Sequence, residues 1–290
     1  MAGKNWTTTK ATNRLAAVAL IPVWLILIMA TPARAYVLLG EHVLDLMVKA
    51  LGKADTLEVS QKVTLNAGDP TLPSAALQET VHIRFPYDLR ADAVGEDYQR
   101  QIIFSGRTAL LAVNGELQTV PPPSYARYHD ILVIKPRQAL ADHLRMAGVD
   151  LTVSSLGRFE DQYCYVIGAR YPDQAPAQLW VAKDTFHPLR LILPSRANQP
   201  AEGWVEIRYR NWGYADGLAY PMHIIMLLNH QIVEEIRVDR LAVNPVFPPD
   251  LFDIAALRRQ WTTPAAAPGE GTDLPSKVVA PPPLESEKKN

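Results

Sequence analysis

Cysteine is nearly absent from this chain. The single Cys164 in 290 residues excludes an intramolecular disulfide and any zinc site built on paired thiolates. It lies in Gln162-Tyr-Cys-Tyr-Val-Ile-Gly-Ala169, which has the composition of a strand, and it reads as a buried, inert thiol. Histidines are present but not grouped: His42, His82, His129, His143, His187, His223 and His230 form no His-Glu-x-x-His pair. His143, on an apolar helix face, reads as a core histidine. His82, sharing a strand face with Thr80 and Arg84, reads as solvated. The chain also lacks a Gly-x-Ser-x-Gly elbow, a phosphate loop and a dinucleotide fingerprint. No catalytic residue, metal ligand or cofactor is therefore expected. The enzyme alternative would need Cys164 to meet a distant histidine in space. A surplus of positive charge is lacking too, with 29 Lys and Arg against 30 Asp and Glu. No internal repeat is visible.

What is present begins with an export signature. Lys4, Lys10 and Arg14 precede an apolar run from Leu15 to Met29, and Ala33-Arg34-Ala35 places small residues at the −3 and −1 positions of a cleavage site. The run is short for a span of about 20 residues. Residues 1–35 are expected to be a signal peptide cleaved after Ala35, delivering residue 36 onward to the periplasm with no stable transmembrane segment. No cysteine adjoins the site, so a lipid anchor there is excluded. Cleavage removes Lys4, Lys10, Arg14 and Arg34 and no acid, which takes the formal charge from −1 to −5. A mildly acidic exported protein is a poor partner for nucleic acid, whose phosphates demand Lys and Arg.

The expected folded domain is 36–261. Leu39, Val43, Leu46, Met47 and Ala50 recur at helical spacing, which predicts an amphipathic helix from about Val37 to Gly52. Alternation then predicts strands at Leu57–Leu65, Thr80–Phe85, Leu89–Val94, Gln101–Phe104, Ala109–Val113 and Glu116–Val120. Asn114-Gly115 forms the hairpin turn between the last two. Pro136 and Gly148 bracket a helix within an insertion from about Ser124 to Gly148. A second run of strands extends from Gln162 to Val243 and is expected to join the first in one sheet. In the Trp204 strand, Val205, Ile207 and Tyr209 take one face and Glu206, Arg208 and Arg210 the other, which predicts one dry and one wet face. From Tyr220 to Leu228 both faces are apolar, consistent with burial on both sides or with a lined cavity. Asp250 is expected to cap a short final helix. Residues 262–290, rich in Pro and Ala, read as a disordered tail.

Taken in order, these features resemble the outer-membrane lipoprotein-sorting (LolA/LolB-like) family. The resemblance rests on the signal peptide, the first helix, the Leu57–Leu65 strand and Phe85-Pro-Tyr-Asp-Leu-Arg90. It continues through the strands around Phe104 to Gly115, the helical insertion, Trp180-Val-Ala-Lys-Asp-Thr-Phe-His-Pro-Leu-Arg190, Gly217-Leu-Ala-Tyr-Pro221 and Asn244 to Phe252. It implies an α+β, mostly β fold: a strongly curved, unclosed, barrel-like antiparallel sheet folded over a few helices. It also implies a periplasmic carrier whose apolar cavity takes lipid or lipoprotein acyl chains. The inward faces expected to line that cavity are Leu57, Val59, Val63 and Leu65, then Val81, Ile83 and Phe85, opposed by Met222, Ile224 and Met226. Arg90 falls near the arginine that holds the family's helical lid. The alternative within the same fold is an envelope sensor or scaffold that binds a protein partner.

Overall fold

The computed structural model describes residues 3, 37–66, 75–106, 108–119, 122, 124–195 and 203–262. Nearly all of the expected signal peptide and of the expected tail lies outside them. Thirteen strands are described: β1 (Thr56–Leu65), β2 (Ala75–Arg84), β3 (Asp88–Val94), β4 (Gln99–Ser105), β5 (Thr108–Val113), β6 (Glu116–Leu117), β7 (Ser154–Phe159), β8 (Gln162–Ile167), β9 (Gln178–Ala182), β10 (Pro188–Pro194), β11 (Trp204–Ala215), β12 (Leu218–Leu228) and β13 (Gln231–Val243). The helices are α1 (Gly40–Ala50), α2 (Asp130–Val133), α3 (Arg137–Met146) and α4 (Ile254–Thr262), with a 3-10 turn at Ser124–Arg127.

All thirteen strands form one antiparallel sheet in the order β6-β5-β4-β3-β2-β1-β13-β12-β11-β10-β9-β8-β7, open at β6 and β7. The two groups of strands do join, through β1 and β13, with Leu57 opposite Val243. Sequential strands meet through tight turns in which both central residues have positive φ: Asn114-Gly115, Glu160-Asp161, Asp216-Gly217 and Asn229-His230. That conformation matches the right-handed twist of flanking strands and suits Asn, Asp and Gly.

The inward face is apolar by alternation. Leu57, Val59 and Val63 of β1, Leu77, Val81 and Ile83 of β2, and Ile224 and Met226 of β12 join one core with α1, α2 and α3. Helix α1 buries Val43, Leu44 and Met47. Leu39, expected on that stripe, is instead 66% exposed: the helix begins at Gly40, three residues after the expected Val37, and Leu39 is its N-cap. Gly40 is required where it stands: a Cβ there would meet the Leu151 carbonyl oxygen at 2.6 Å. Glu41 of α1 pairs with Arg137 and Arg145 of α3, tying the two helices at the surface.

The outer face departs from the wet face expected of β11. Glu206 is buried between Arg190, at 2.8 Å, and Arg208, at 2.6 Å. The Arg190 guanidinium also lies over the rings of Phe159 and Trp180. Trp180, Cys164, Val166 and Leu189 make a second, smaller core here, so the sheet is apolar on both sides in its later half. Burial pushes the Cys164 thiol up to about 11, which keeps it protonated and unreactive. On β12, Ile225 and Leu227 are also buried; they pair with Arg208 and Glu206 across the sheet, whose aliphatic stems can cover them.

After β13 the chain crosses the outer face of β2 and β3, where Phe247 meets the His82 ring edge-on and Arg84 lies over Phe252. His82 is accordingly half-buried rather than solvated, with Glu58 at 3.6 Å. Helix α4 then seats Leu257 on Ile103, Leu110 and Ala112. Its cap is Asp253, not Asp250: the Asp253 carboxylate accepts from the amides of Ala255 and Ala256 at 2.9 and 3.0 Å. Asp253→Ala is expected to cost about 1 kcal/mol. Urea denaturation measures it, and an unchanged midpoint would show that the cap contributes nothing.

Candidate functional site

The insertion between β6 and β7 lies over the concave face, and it encloses the space that could hold a guest. One cavity, about 480 Å³, lies between the insertion and the β3–β4 side of the sheet. Leu89 and Phe104 wall it on the sheet, Val133, Ile134 and Ala139 on the insertion, with the half-exposed Tyr87 and the exposed Met146 among its lining. A second, about 160 Å³ and almost wholly apolar, lies on the other side against Leu191, Leu193, Val205 and Ile207. Both are bordered by Arg127, Asp130 and His143. Asp130 accepts from Arg127 at 3.1 Å and lies 3.2 Å from His143 Nε2. Burial raises the Asp130 carboxyl above its ordinary value, against the pull of His143 and Arg127. His143, expected as a core histidine, is partly exposed and faces both cavities.

A second polar group lies deeper. Gln61, Glu79, Arg100 and Glu234 all occupy inward positions on β1, β2, β4 and β13. The Arg100 Nη2 donates to Glu79 at 3.0 Å and to Glu234 at 2.9 Å. Gln61 Nε2 donates to Glu79 at 2.6 Å and to the Tyr128 hydroxyl at 2.9 Å. β4 and β13 are four strand spacings apart, about 19 Å along a flat sheet. Their side chains meet directly, so the sheet is strongly curled. Opposite Glu79 on β3 stands Ala93, itself opposite Arg100 on β4. That small residue lets the arginine reach across. Burial is the main influence on Glu79 and raises its pKa. Burial also opposes the charge of Arg100, but Glu234 and Glu79 outweigh it and hold the guanidinium protonated.

Tyr128 anchors the insertion to this group, since its carbonyl also accepts from the Tyr209 hydroxyl of β11 at 2.8 Å. Beside it His129 is 1% exposed, and neither of its ring nitrogens has a hydrogen-bond partner. Burial pushes its pKa down to about 3.

Leu57, Val59, Val63, Val81, Ile83, Ile224 and Met226 lie at the bottom of the concave face, fully buried, while Leu65, Phe85 and Met222 are partly buried against the same core. Of these ten, Val63 borders a space, one of about 410 Å³ near Leu77, Val94 and Gly95; none borders the two cavities beneath the insertion. Arg90 reaches no part of the helical insertion: it bonds Asp92 at 2.8 Å and the Leu251 carbonyl at 3.3 Å, on the outer face. The inward arginine is Arg100. Its group was visible in the sequence only as violations of alternation: Gln61 among Leu57, Val59, Val63 and Leu65, Glu79 in phase with Val81 and Ile83, Arg100 with Ile102 and Phe104, and Glu234 with Ile236 and Val238. Among the described residues, no group of three His, Cys, Asp or Glu is placed to hold a metal ion, and no helix is long and apolar enough to cross a membrane.

No family model and no curated protein matches this chain. Solved structures do. A LolA superfamily protein from Nitrosomonas europaea superposes with a TM-score of 0.50 at 15% identity, covering 74% of this chain and 97% of the other. A DUF1329 family protein from Desulfovibrio piger superposes with a TM-score of 0.50 at 12% identity, covering 76% and 99%. At such identities the likeness is one of architecture, and it agrees with the curled, unclosed sheet and the helices in its concavity: the fold of this chain is LolA-like.

Proposed function

We propose that this protein is a periplasmic carrier or binding protein for lipidated or other hydrophobic cargo, whose acyl chains lie beneath the insertion. The observation that supports this reading is the pair of cavities meeting at Arg127, Asp130 and His143. Their combined character, mostly apolar with a few convergent polar groups, suits a guest of small-molecule size. Leu57, Val59, Val81, Ile83, Ile224 and Met226, fully buried, form the floor of the same concavity, and Val63 borders a further space beside them. The export signature in the sequence supports the compartment.

Two substitutions separate cavity from core. Ala139→Trp fills the larger cavity and is expected to change stability by less than about 1 kcal/mol while abolishing binding of a fluorescent fatty acid. Ile224→Trp forces a ring into a packed core and is expected to cost about 3 kcal/mol or more. Melting and binding titrations read both. Retained binding by a well-folded Ala139→Trp protein would place the cargo elsewhere. Mass spectrometry of organic extracts from protein purified natively from the periplasm tests the reading directly, and acyl species at near-stoichiometric level are the expected result.

A further inference from the structure

The hollow at the centre of the inward polar group is lined by Glu79, Arg100, Glu234, Tyr128 and His129, closed by small and aliphatic side chains, and has a volume of about 10 Å³. That is room for one water-sized group. It shares Leu89 and His129 with the large cavity, so the two spaces are separated by a thin partition. His129 forms part of that partition without a hydrogen bond from either ring nitrogen; its ring packs against Tyr128, at a centroid distance of 3.7 Å, and Tyr220, at 6.4 Å. Arg100 Nε and Gln61 Oε1, on side chains of the same group, are likewise buried and unpaired. A buried acceptor left unpaired is costly, and a donor that reached a ring nitrogen of His129 would recover that cost, whereas Arg100 Nε, itself a donor, would gain nothing from it.

The charges are unequal. Two carboxylates face one guanidinium, and the other polar residues lining the hollow, Tyr128 and the unprotonated His129, bring no positive charge. Either Glu79 keeps its proton or the hollow carries an uncompensated negative charge, which a dry interior penalises strongly. A group that fits must therefore be small, a hydrogen-bond donor and positive. A carboxylate head would meet two carboxylates, and a phosphate or quaternary ammonium head exceeds the space.

We propose that the hollow is the seat of a primary ammonium head, and that the large cavity takes the alkyl chain of the same guest, which lies head-inward past His129. This rests on the carrier reading and names its substrate class as amine-bearing amphiphiles. The proton balance is explicit. An alkylammonium enters with its charge, Glu79 gives up its proton to solvent, and the hollow then holds two positive and two negative groups.

The test is calorimetric titration of the full-length chain, near neutral pH, with dodecylamine, dodecanol and dodecanoate below their micellar concentrations. Repeating it in two buffers of different ionisation heat counts the protons released. Dodecylamine is expected to bind about tenfold or more tightly than dodecanoate, with about one proton released per amine, and Glu79→Gln is expected to collapse that ratio. The proton count on the unaltered chain stands even if Glu79→Gln fails to fold. Equal affinities, as a hollow that simply keeps a water molecule would give, or a preference for dodecanoate, would overturn the amine assignment and leave the carrier reading intact. A preference for the amine without proton release would overturn the role of Glu79 and with it the proposal. Failure of all three probes to bind would remove both readings.

Discussion

Replacement of Arg100 by methionine is expected to cost about 3–5 kcal/mol at neutral pH, as breaking a buried ion pair from one side does. Glu79 and Glu234 are 2% and 3% exposed in their side chains, and without the guanidinium they would face each other with no counter-ion. The deficit depends on pH in a defined direction. Arg100 lowers the Glu79 pKa against burial, so its loss raises that pKa further. The penalty is thus absent below the ordinary glutamate value of 4.5 and grows as pH rises above it. Urea midpoints of both proteins from acid to neutral pH measure this. The triple replacement Glu79→Leu, Arg100→Met, Glu234→Leu is expected to recover stability to within about 1 kcal/mol of the parent, or exceed it. A deficit that stayed constant with pH would show that the loss is one of packing rather than of charge.

Mild acid should destabilise the fold through His129. Its ring is fully buried and unpaired, and its pKa falls from 6.5 to about 3. A depressed group contributes stability above its unfolded pKa and loses it as pH drops toward the folded value. At about pH 4 the loss is therefore of order 3 kcal/mol. His129→Phe keeps a flat ring against Tyr128 and removes the proton site, so its melting temperature should fall less between neutral pH and pH 4. Glu79 acts in the opposite direction, since its raised pKa favours the folded state in acid. The informative quantity is the difference between variant and parent at each pH. Parallel acid profiles would mean that the folded protein gives protonated His129 access to water.

The sequence carried the sheet well because alternation was strong where one face is buried. β1, β3 and β5 fall within a residue or so of their expected ends, and the Asn114-Gly115 turn stands where the sequence placed it. β7 was missed: Ser154-Ser-Leu-Gly-Arg-Phe159 has little β-branched content. Its Gly157 lies where a Cβ would come within 2.8 Å of the Trp180 ring, a demand of tertiary packing and not of local preference. The cavity was harder to locate. Periodicity says which residues face inward, but not which of them touch one another and which are left facing a void. That distinction depends on how tightly the sheet curls and where the insertion rests, and both are fixed by contacts such as Tyr209 to Tyr128 between distant residues. The charged group was hidden for the opposite reason. Gln61 and Glu79 stand out as polar residues in inward phase, but nothing in the sequence says that they meet Arg100 until the curl brings β4 over the adjacent strands β2, β1 and β13.

The strand order has a kinetic consequence. Each half of the sheet is a meander in which every strand pairs with its sequence neighbour, so the two halves can zip up locally and early. The β1–β13 seam is different, because it joins the near and far limits of the strand region, with Leu57 against Val243 and Leu65 against Glu234. Closing that row carries the largest loop-closure entropy in the sheet, and it should be the last to zip and the slowest step. Arg100 reaches Glu234 across the same seam, so its two glutamates, on β2 and β13, are brought to one guanidinium only as the row closes. Until then each half exposes its apolar inner face together with an unpaired edge at β1 or β13. The cell must shield that interval from aggregation, and the shorter it is, the safer the chain.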